Sequence, residues 1–313
     1  MSVDYSEKIL TVKDLEVQFN LRGQVLTAIR GISLDIYKGE SLAIVGESGS
    51  GKSVFTKTFM GMLDKNGKVT KGEILYNGMD LAKFGSEKDW LKIRGREIAM
   101  VFQDPMTSLN PLKTVGKQIQ EALELHQNLH GRAARERTIE ILSDVGIAEP
   151  ERRYKQYPHE FSGGMRQRAV IATAIACNPN ILICDEPTTA LDVTIQAQII
   201  ELLEQLQKKY RLTIIYITHD LGVVAKVADR IAVMYAGDII EIGLCNEIFY
   251  NPQHPYTWAL LSSLPQLGIK GEPLYSIHGT PPNLFKEIKG DAFAPRNPRA
   301  LNIDYVIRPP AVL

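Results

Sequence analysis

The chain has 313 residues, with 36 basic side chains against 36 acidic ones and 44% hydrophobic content, a composition ordinary for a globular protein. A net charge of zero excludes a protein held on a polyanion mainly by phosphate contacts, which needs a basic excess. Cys177, Cys184 and Cys245 are too few and too widely spaced for a disulfide framework or a CxxC metal knuckle, so a reducing, cytoplasmic compartment is expected.

Residues 1–10, with Asp4, Glu7 and Lys8, have no apolar core and are not expected to be a signal peptide. No apolar run approaches the ~18 residues that span a bilayer. Residues 9–19 and 25–36 are β-rich and flank a turn at Arg22-Gly23. Residues 41–45 form a short apolar run ending in a glycine-rich turn, the pattern of a buried strand. A helix is predicted over 52–63, with Val54, Phe55, Phe59 and Met62 on one face. Residues 105–160 take helical periodicity, with Ile139, Leu142 and Val145 spaced by three. A helix over 168–177, a strand over 181–184, a helix carrying Ile195, Ile199, Leu202, Leu203 and Leu206, and a strand over 213–217 follow. Strands alternating with helices predict an α/β core interrupted by a helical insertion. Prolines thicken from residue 251 onward and mark a loop-rich tail; the aromatic and aliphatic residues within 256–264 argue that it folds. There is no internal repeat.

The chemistry starts at Gly46-Glu47-Ser48-Gly49-Ser50-Gly51-Lys52-Ser53, which fits the G-x-x-x-x-G-K-[ST] phosphate loop. Glycines let the backbone wrap phosphates, amides point at them, Lys52 brings a mobile positive charge and Ser53 offers a hydroxyl to Mg²⁺. A glycine/serine turn with a solvated lysine would not need a buried strand before it and an amphipathic helix, with Ser53 and Val54 in its first turn, after it. The apolar run 181–184 then delivers Asp185 and Glu186. Neighbouring strand residues point opposite ways, so the two acids take different roles. Asp185 suits the surroundings of Mg²⁺, and Glu186 can lean toward the γ-phosphate and polarise a water. The run 213–217 leads in the same way to His219, placed to sense the γ-phosphate. Ser162, Gly163 and Gly164 stand before a helix and form a second anion-binding nest.

This set resembles the ATP-binding cassette (ABC) ATPases over residues 9–245. Ser162-Gly163-Gly164 resembles their signature motif, Asp185-Glu186 their Walker B pair, Ala190-Leu191-Asp192 their D-loop, His219 their switch histidine and Gln103 their Q-loop glutamine, a metal and catalytic residue. The resemblance implies an α/β P-loop NTPase core of ABC-ATPase type, with an N-terminal antiparallel β subdomain, a helical insertion subdomain (about 104–165) and a small loop-rich C-terminal extension. The cassette would span 1–250 and the extension 251–313. It implies ATP and Mg²⁺, the latter held by Ser53, Gln103 and Asp185, and head-to-tail pairing with a second ABC ATPase subunit whose signature nest closes this chain's ATP site. Asp192 joins the nucleotide-binding set in that pairing. An aromatic residue stacks on adenine in this family; Phe19 is the candidate, with Val25 or a purely structural Phe19 as alternatives.

Further strings narrow the branch. The run 103–111 (Gln103-Asp104-Pro105-Met106-Thr107-Ser108-Leu109-Asn110-Pro111), the run 157–168 with Met165 in its signature, Asn251-Pro252-Gln253-His254-Pro255-Tyr256-Thr257 and Gly279-Thr280-Pro281-Pro282-Asn283 resemble the oligopeptide, dipeptide and nickel importers, in particular their D-type ATPase. That implies an ATP-hydrolysing subunit powering oligopeptide import, peripheral on the cytoplasmic face of the membrane, with two permease subunits and, indirectly, an extracytoplasmic peptide-binding protein. Dipeptide or nickel import is the alternative. A soluble ABC ATPase of DNA repair or translation would usually carry a coiled-coil insertion, a zinc module or a second cassette, and none is present; no nucleic-acid partner is expected. A non-hydrolysing cassette is opposed by Glu186 and His219. D-type relatives often hold an iron–sulfur cluster on tail cysteines. Here Asp291, Asn297 and Asp304 stand in that stretch, so no cluster is expected. Because every phosphate-contacting residue named precedes the tail, deleting it is expected to impair assembly or regulation more than nucleotide binding.

Overall fold

The computed structural model describes residues 3–189, 191–264 and 276–309. In chain order the elements are β1 (Lys8–Leu21), β2 (Gln24–Tyr37), β3 (Ser41–Val45), α1 (Lys52–Thr58), β4 (Gly67–Tyr76), β5 (Met79–Asp80), α2 (Glu87–Trp90), β6 (Ile98–Val101), α3 (Pro105–Ser108), α4 (Val115–Gln127), α5 (Gly131–Asp144), α6 (Pro150–Arg153) and α7 (Gly163–Ile175). They continue as β7 (Ile181–Asp185), α8 (Val193–Tyr210), β8 (Thr213–Ile217), α9 (Leu221–Val227), β9 (Arg230–Tyr235), β10 (Asp238–Leu244), α10 (Cys245–Tyr250) and α11 (Pro255–Ser262). They belong to two compact units.

One unit holds residues 8–36, 42–83 and the described residues from 218 onward, tail included. Its antiparallel sheet has the order β2-β1-β4-β5, with Leu10 facing Tyr76 and Phe19 facing Gly67 across β1 and β4. Leu10 and Val12, then Leu15 and Val17 past the irregularity between Lys13 and Glu16, are at most 1% exposed; each pair follows the strand period, and the bulge shifts its phase by one. β3 runs parallel to β9, Val45 beside Val233, and β10 returns antiparallel to β9. Phe55 and Phe59 of α1 and the turn after it meet edge to face at 5.0 Å. The helix is shorter than the predicted 52–63. The amides of Phe59, Met60 and Gly61 reach back only three residues, and Gly61 at φ +58° ends the turn in the left-handed region that glycine tolerates.

The other unit holds residues 84–217 with the short segments 3–7 and 37–41. Here β6, β7 and β8 run parallel, Val101 beside Cys184 and Asp185 beside Ile217. All three strands are fully buried, which explains their unbroken apolar character. α8 buries Ile199, Leu202, Leu203 and Leu206. The insertion is built on α4 and α5, whose stripes Val115, Ile119, Leu123 and Ala134, Ile141, Leu142 are inaccessible. Strands β4, β5, β6, β9 and β10 add to those read from the sequence.

Candidate active site

The phosphate loop follows directly from β3. Gly46 adopts φ +149°, and a Cβ there would lie 2.1 Å from the Met234 carbonyl oxygen, so only glycine fits against β9. Lys52 is buried and its Nζ donates to the carbonyl oxygens of Gly46 and Glu47, both at 2.8 Å. The loop is thus curled around its own lysine. The Gly237 amide donates to the Ser50 carbonyl at 2.9 Å, pinning the inner turn, while Ser48 and Gly49 are exposed and Ser53 and Val54 half-buried.

The tail reaches this loop. The Glu47 amide donates to Tyr256 Oη at 2.9 Å, and Arg296 bonds both Glu47 carboxylate oxygens at 2.7 and 3.1 Å. The expectation that deleting the tail impairs assembly or regulation more than nucleotide binding counted only residues that touch phosphate, and the tail touches the loop itself at Glu47. His219 lies in the same unit, exposed just past β8. Thr218 before it donates its amide to the Ile44 carbonyl of β3 at 3.4 Å, and Asp220 after it caps α9 through the amides of Gly222 and Val223. Phe19 is only 9% exposed, because its ring covers Gly67, where a Cβ would come within 2.4 Å of it. It offers little surface to a base, whereas Val25 is 49% exposed.

The acids lie in the other unit. Asp185 closes β7 and is 8% exposed. Glu186 then takes φ +47°, an uncommon backbone for a non-glycine residue that turns it out of the strand direction and is held by the bond from its amide to the Ile217 carbonyl at 2.8 Å. Gln103 Nε2 and Thr189 Oγ1 donate to Glu186 Oε2 at 2.8 and 2.9 Å. Two predicted residues, Gln103 and Glu186, therefore meet directly although 83 positions separate them.

The signature glycines lie inside the first turn of α7 rather than ahead of a helix starting at 168. Ser162 is the N-cap, its hydroxyl accepting from the Met165 amide at 3.3 Å, so the turn closes as soon as the serine is reached. Ser162 and Gly163 are exposed, while Gly164 backs onto Ile195, which a Cβ would approach to 2.9 Å. Asp192 caps α8 through the Ile195 amide at 3.0 Å. Ala190 lies outside the described residues.

Sequence reasoning missed two glutamines. Gln167, 1% exposed, donates to the Pro187 carbonyl at 2.8 Å and ties the signature helix to the residue after Glu186. Gln196 donates to the carbonyls of Thr188 and Leu191 at 3.1 and 3.2 Å, fixing the segment before Asp192. Gln167 stands between Arg166 and Arg168 in α7, and nothing in that polar run sets it apart.

The family model for ABC transporters matches residues 29–189, and the one for the oligopeptide/dipeptide transporter C-terminal region matches residues 240–303. The oligopeptide transport ATP-binding protein AmiE of Streptococcus pneumoniae is 59% identical over 302 residues, covering 96% of this chain and 85% of that protein. The chain belongs to the ABC transporter ATPases. This ABC ATPase is also 57% identical to the oligopeptide transport ATP-binding protein OppD of Bacillus subtilis (97% of this chain, 85% of that one). It is 55% identical to the dipeptide transport ATP-binding protein DppD of Lactococcus lactis (97% and 87%). Among solved structures, the dimeric ATP-binding cassette MJ0796 bound to ADP and Pi aligns with TM-score 0.67 at 28% identity, over 75% of this chain and 98% of that one. CbiO1 of Clostridium perfringens, part of an ABC transporter complex, aligns with TM-score 0.67 at 32% identity, over 78% and 92%. The fold is that of an ABC ATPase, and the family's activity is ATP hydrolysis in a transporter.

Proposed function

We propose that this ABC ATPase hydrolyses ATP to drive peptide import, with oligopeptides as its cargo in preference to dipeptides or nickel. The observation that carries the hydrolytic part is the Glu186 carboxylate, aimed by an uncommon backbone and by the bonds from Gln103 and Thr189. The match of the tail to the oligopeptide/dipeptide transporter region and the names of the relatives support the cargo.

ATP is the substrate of residues 46–53. Lys52 exchanges the carbonyls of Gly46 and Glu47 for phosphate oxygens, and exposed Ser48 and Gly49 leave the loop's outer edge open to them. Ser53, Gln103 and Asp185 supply a hydroxyl, an amide oxygen and a carboxylate, the hard donors Mg²⁺ prefers; when bound, the ion neutralises charge on the phosphates. Glu186 takes the proton of the attacking water and His219 contacts the γ-phosphate, while the burial of Phe19 favours the alternative in which Phe19 is structural and exposed Val25 meets adenine. Among the described residues no helix is long and apolar enough to cross a membrane. The subunit works at the cytoplasmic membrane face under two permeases, fed by an extracytoplasmic peptide-binding protein.

Exposure of Ser162 and Gly163 leaves an anion nest facing outward, as head-to-tail pairing with a second ABC ATPase requires. Ser162→Arg is expected to spare photolabelling of the isolated chain by ATP and to impair the partner's site in the assembled complex. Loss of labelling in the isolated variant would contradict this pairing.

No iron–sulfur cluster belongs to the tail in this reading. Asp291 Oδ1 accepts from the Phe293 amide, Asn297 Oδ1 from the Arg299 amide and Asp304 Oδ2 from the Leu301 amide, so these side chains serve turns, and oxygen donors do not suit such clusters. Purified protein should be colourless, without a band near about 400 nm; a brown preparation with stoichiometric iron would overturn the claim. The function itself is tested by uptake into proteoliposomes holding the assembled importer. Labelled oligopeptide should accumulate with ATP and not with Glu186→Gln, and uptake of nickel or dipeptide alone would displace the cargo assignment.

A further inference from the structure

The C-terminal extension holds one residue of the phosphate loop from two sides. Tyr256, fully buried, accepts the Glu47 backbone N–H at 2.9 Å. Arg296, its side chain 4% exposed, forks onto the Glu47 carboxylate. A guanidinium has five N–H donors, and Arg296 places five bonds. Beyond the two to Glu47, it donates to Tyr235 Oη at 3.2 Å and to the carbonyls of His278 and Ile277 at 2.9 and 3.2 Å. Phe293 packs edge-on against Tyr235 and Tyr256 at 5.5 and 5.4 Å, so both anchors rest on one aromatic cluster. The third attachment of Glu47 is its carbonyl, which accepts from Lys52.

Electrostatics gives this geometry a consequence. A triphosphate bound to this loop brings several negative charges beside the Glu47 carboxylate, which repels them. A bidentate guanidinium cancels that charge and fixes its position. The extension also walls the loop: Pro281, Pro282 and Leu284 line a groove with Glu47, Ser48, Gly49 and Ser50, and the Leu284 carbonyl accepts from the Thr27 amide of β2 at 3.2 Å.

The geometry points to Arg296 and Tyr256 as positioning residues of the C-terminal extension, which neutralise Glu47 and set the phosphate loop, and through it Lys52, for ATP. This rests on residues 46–53 being the triphosphate loop. The extension thereby couples its own docking to nucleotide affinity, and a tail pulled from the loop lowers ATP binding without touching the hydrolytic carboxylate.

The test is nucleotide affinity of the full-length chain. Arg296→Gln should weaken ATP about tenfold, the equivalent of ~1.4 kcal/mol, and ADP distinctly less, because the uncancelled charge scales with phosphate charge. In the assembled complex KM for ATP should rise while kcat stays within about twofold of wild type. Adding Glu47→Gln to Arg296→Gln should restore most of the ATP affinity, which a merely stabilising role of Arg296 would not produce. Equal losses for ATP and ADP, an unchanged ATP affinity, or failure of the double variant to recover would overturn the inference. If Arg296→Gln does not fold, Tyr256→Phe keeps the ring and removes only the acceptor; unaltered ATP binding there overturns the inference equally. Lys52→Ala separates the two readings: normal ATP binding in it sinks the phosphate loop itself, whereas its failure beside unaffected Arg296 and Tyr256 variants sinks only the role of the extension.

Discussion

Glu186→Gln is expected to leave ATP affinity within a few-fold of wild type and to cut turnover by ~10²–10⁴, the range for loss of a general base. The amide is isosteric and can still meet Gln103 and Thr189 by flipping, so the strained turn at Glu186 and its bond to Ile217 survive. What is lost is the capacity to accept a proton from water. ATP-bound complexes should then accumulate in the closed, paired state, visible as a slower-sedimenting fraction converting to a larger species on ATP addition. Turnover within about threefold of wild type would remove Glu186 from the chemistry.

Lys52→Ala is expected to weaken ATP binding by ~10²–10⁴, since two charge-assisted hydrogen bonds at about 1.5–3 kcal/mol each disappear. Alanine also leaves the carbonyls of Gly46 and Glu47, to which Lys52 now donates at 2.8 Å, without their internal donor. Both the charge that meets phosphate and the loop's own internal donor go together. Equilibrium dialysis with labelled ATP, with thermal unfolding as the check on folding, reads this out. Transport and binding at wild-type levels would refute the assignment of residues 46–53.

What could be read in the sequence was what is local. The phosphate loop, Asp185-Glu186 and Ser162-Gly163-Gly164 are contiguous strings whose chemistry depends on neighbours a few positions away. The buried strands β3, β7 and β8 announce themselves because four successive apolar residues in each run into a recognisable motif. β6 is as short and as apolar, so its pattern is equally legible, whereas β10 mixes half-exposed and exposed positions with a register shift after Ile239 and gives no clean period. The end of α1 depends on Gly61 entering the left-handed region, a choice the apolar pattern running to Met62 conceals. Arg296 and Glu47 are 249 positions apart, and nothing in a proline-rich tail says which of its arginines finds the loop carboxylate. Gln167 was equally silent, since its partner is a backbone carbonyl and carries no residue type.

The bond between Arg296 and Glu47 also sets an order of events during synthesis. The phosphate loop is made with β3 and α1 in the same stretch, whereas its guanidinium follows 249 positions later. With Arg296 as the positioning residue inferred above, a nascent chain carries the loop with an uncancelled carboxylate until the segment around Arg296 docks. A chain interrupted before Arg296, or clipped by a protease between the loop and that residue, would then hold ATP less tightly than one in which the segment has docked.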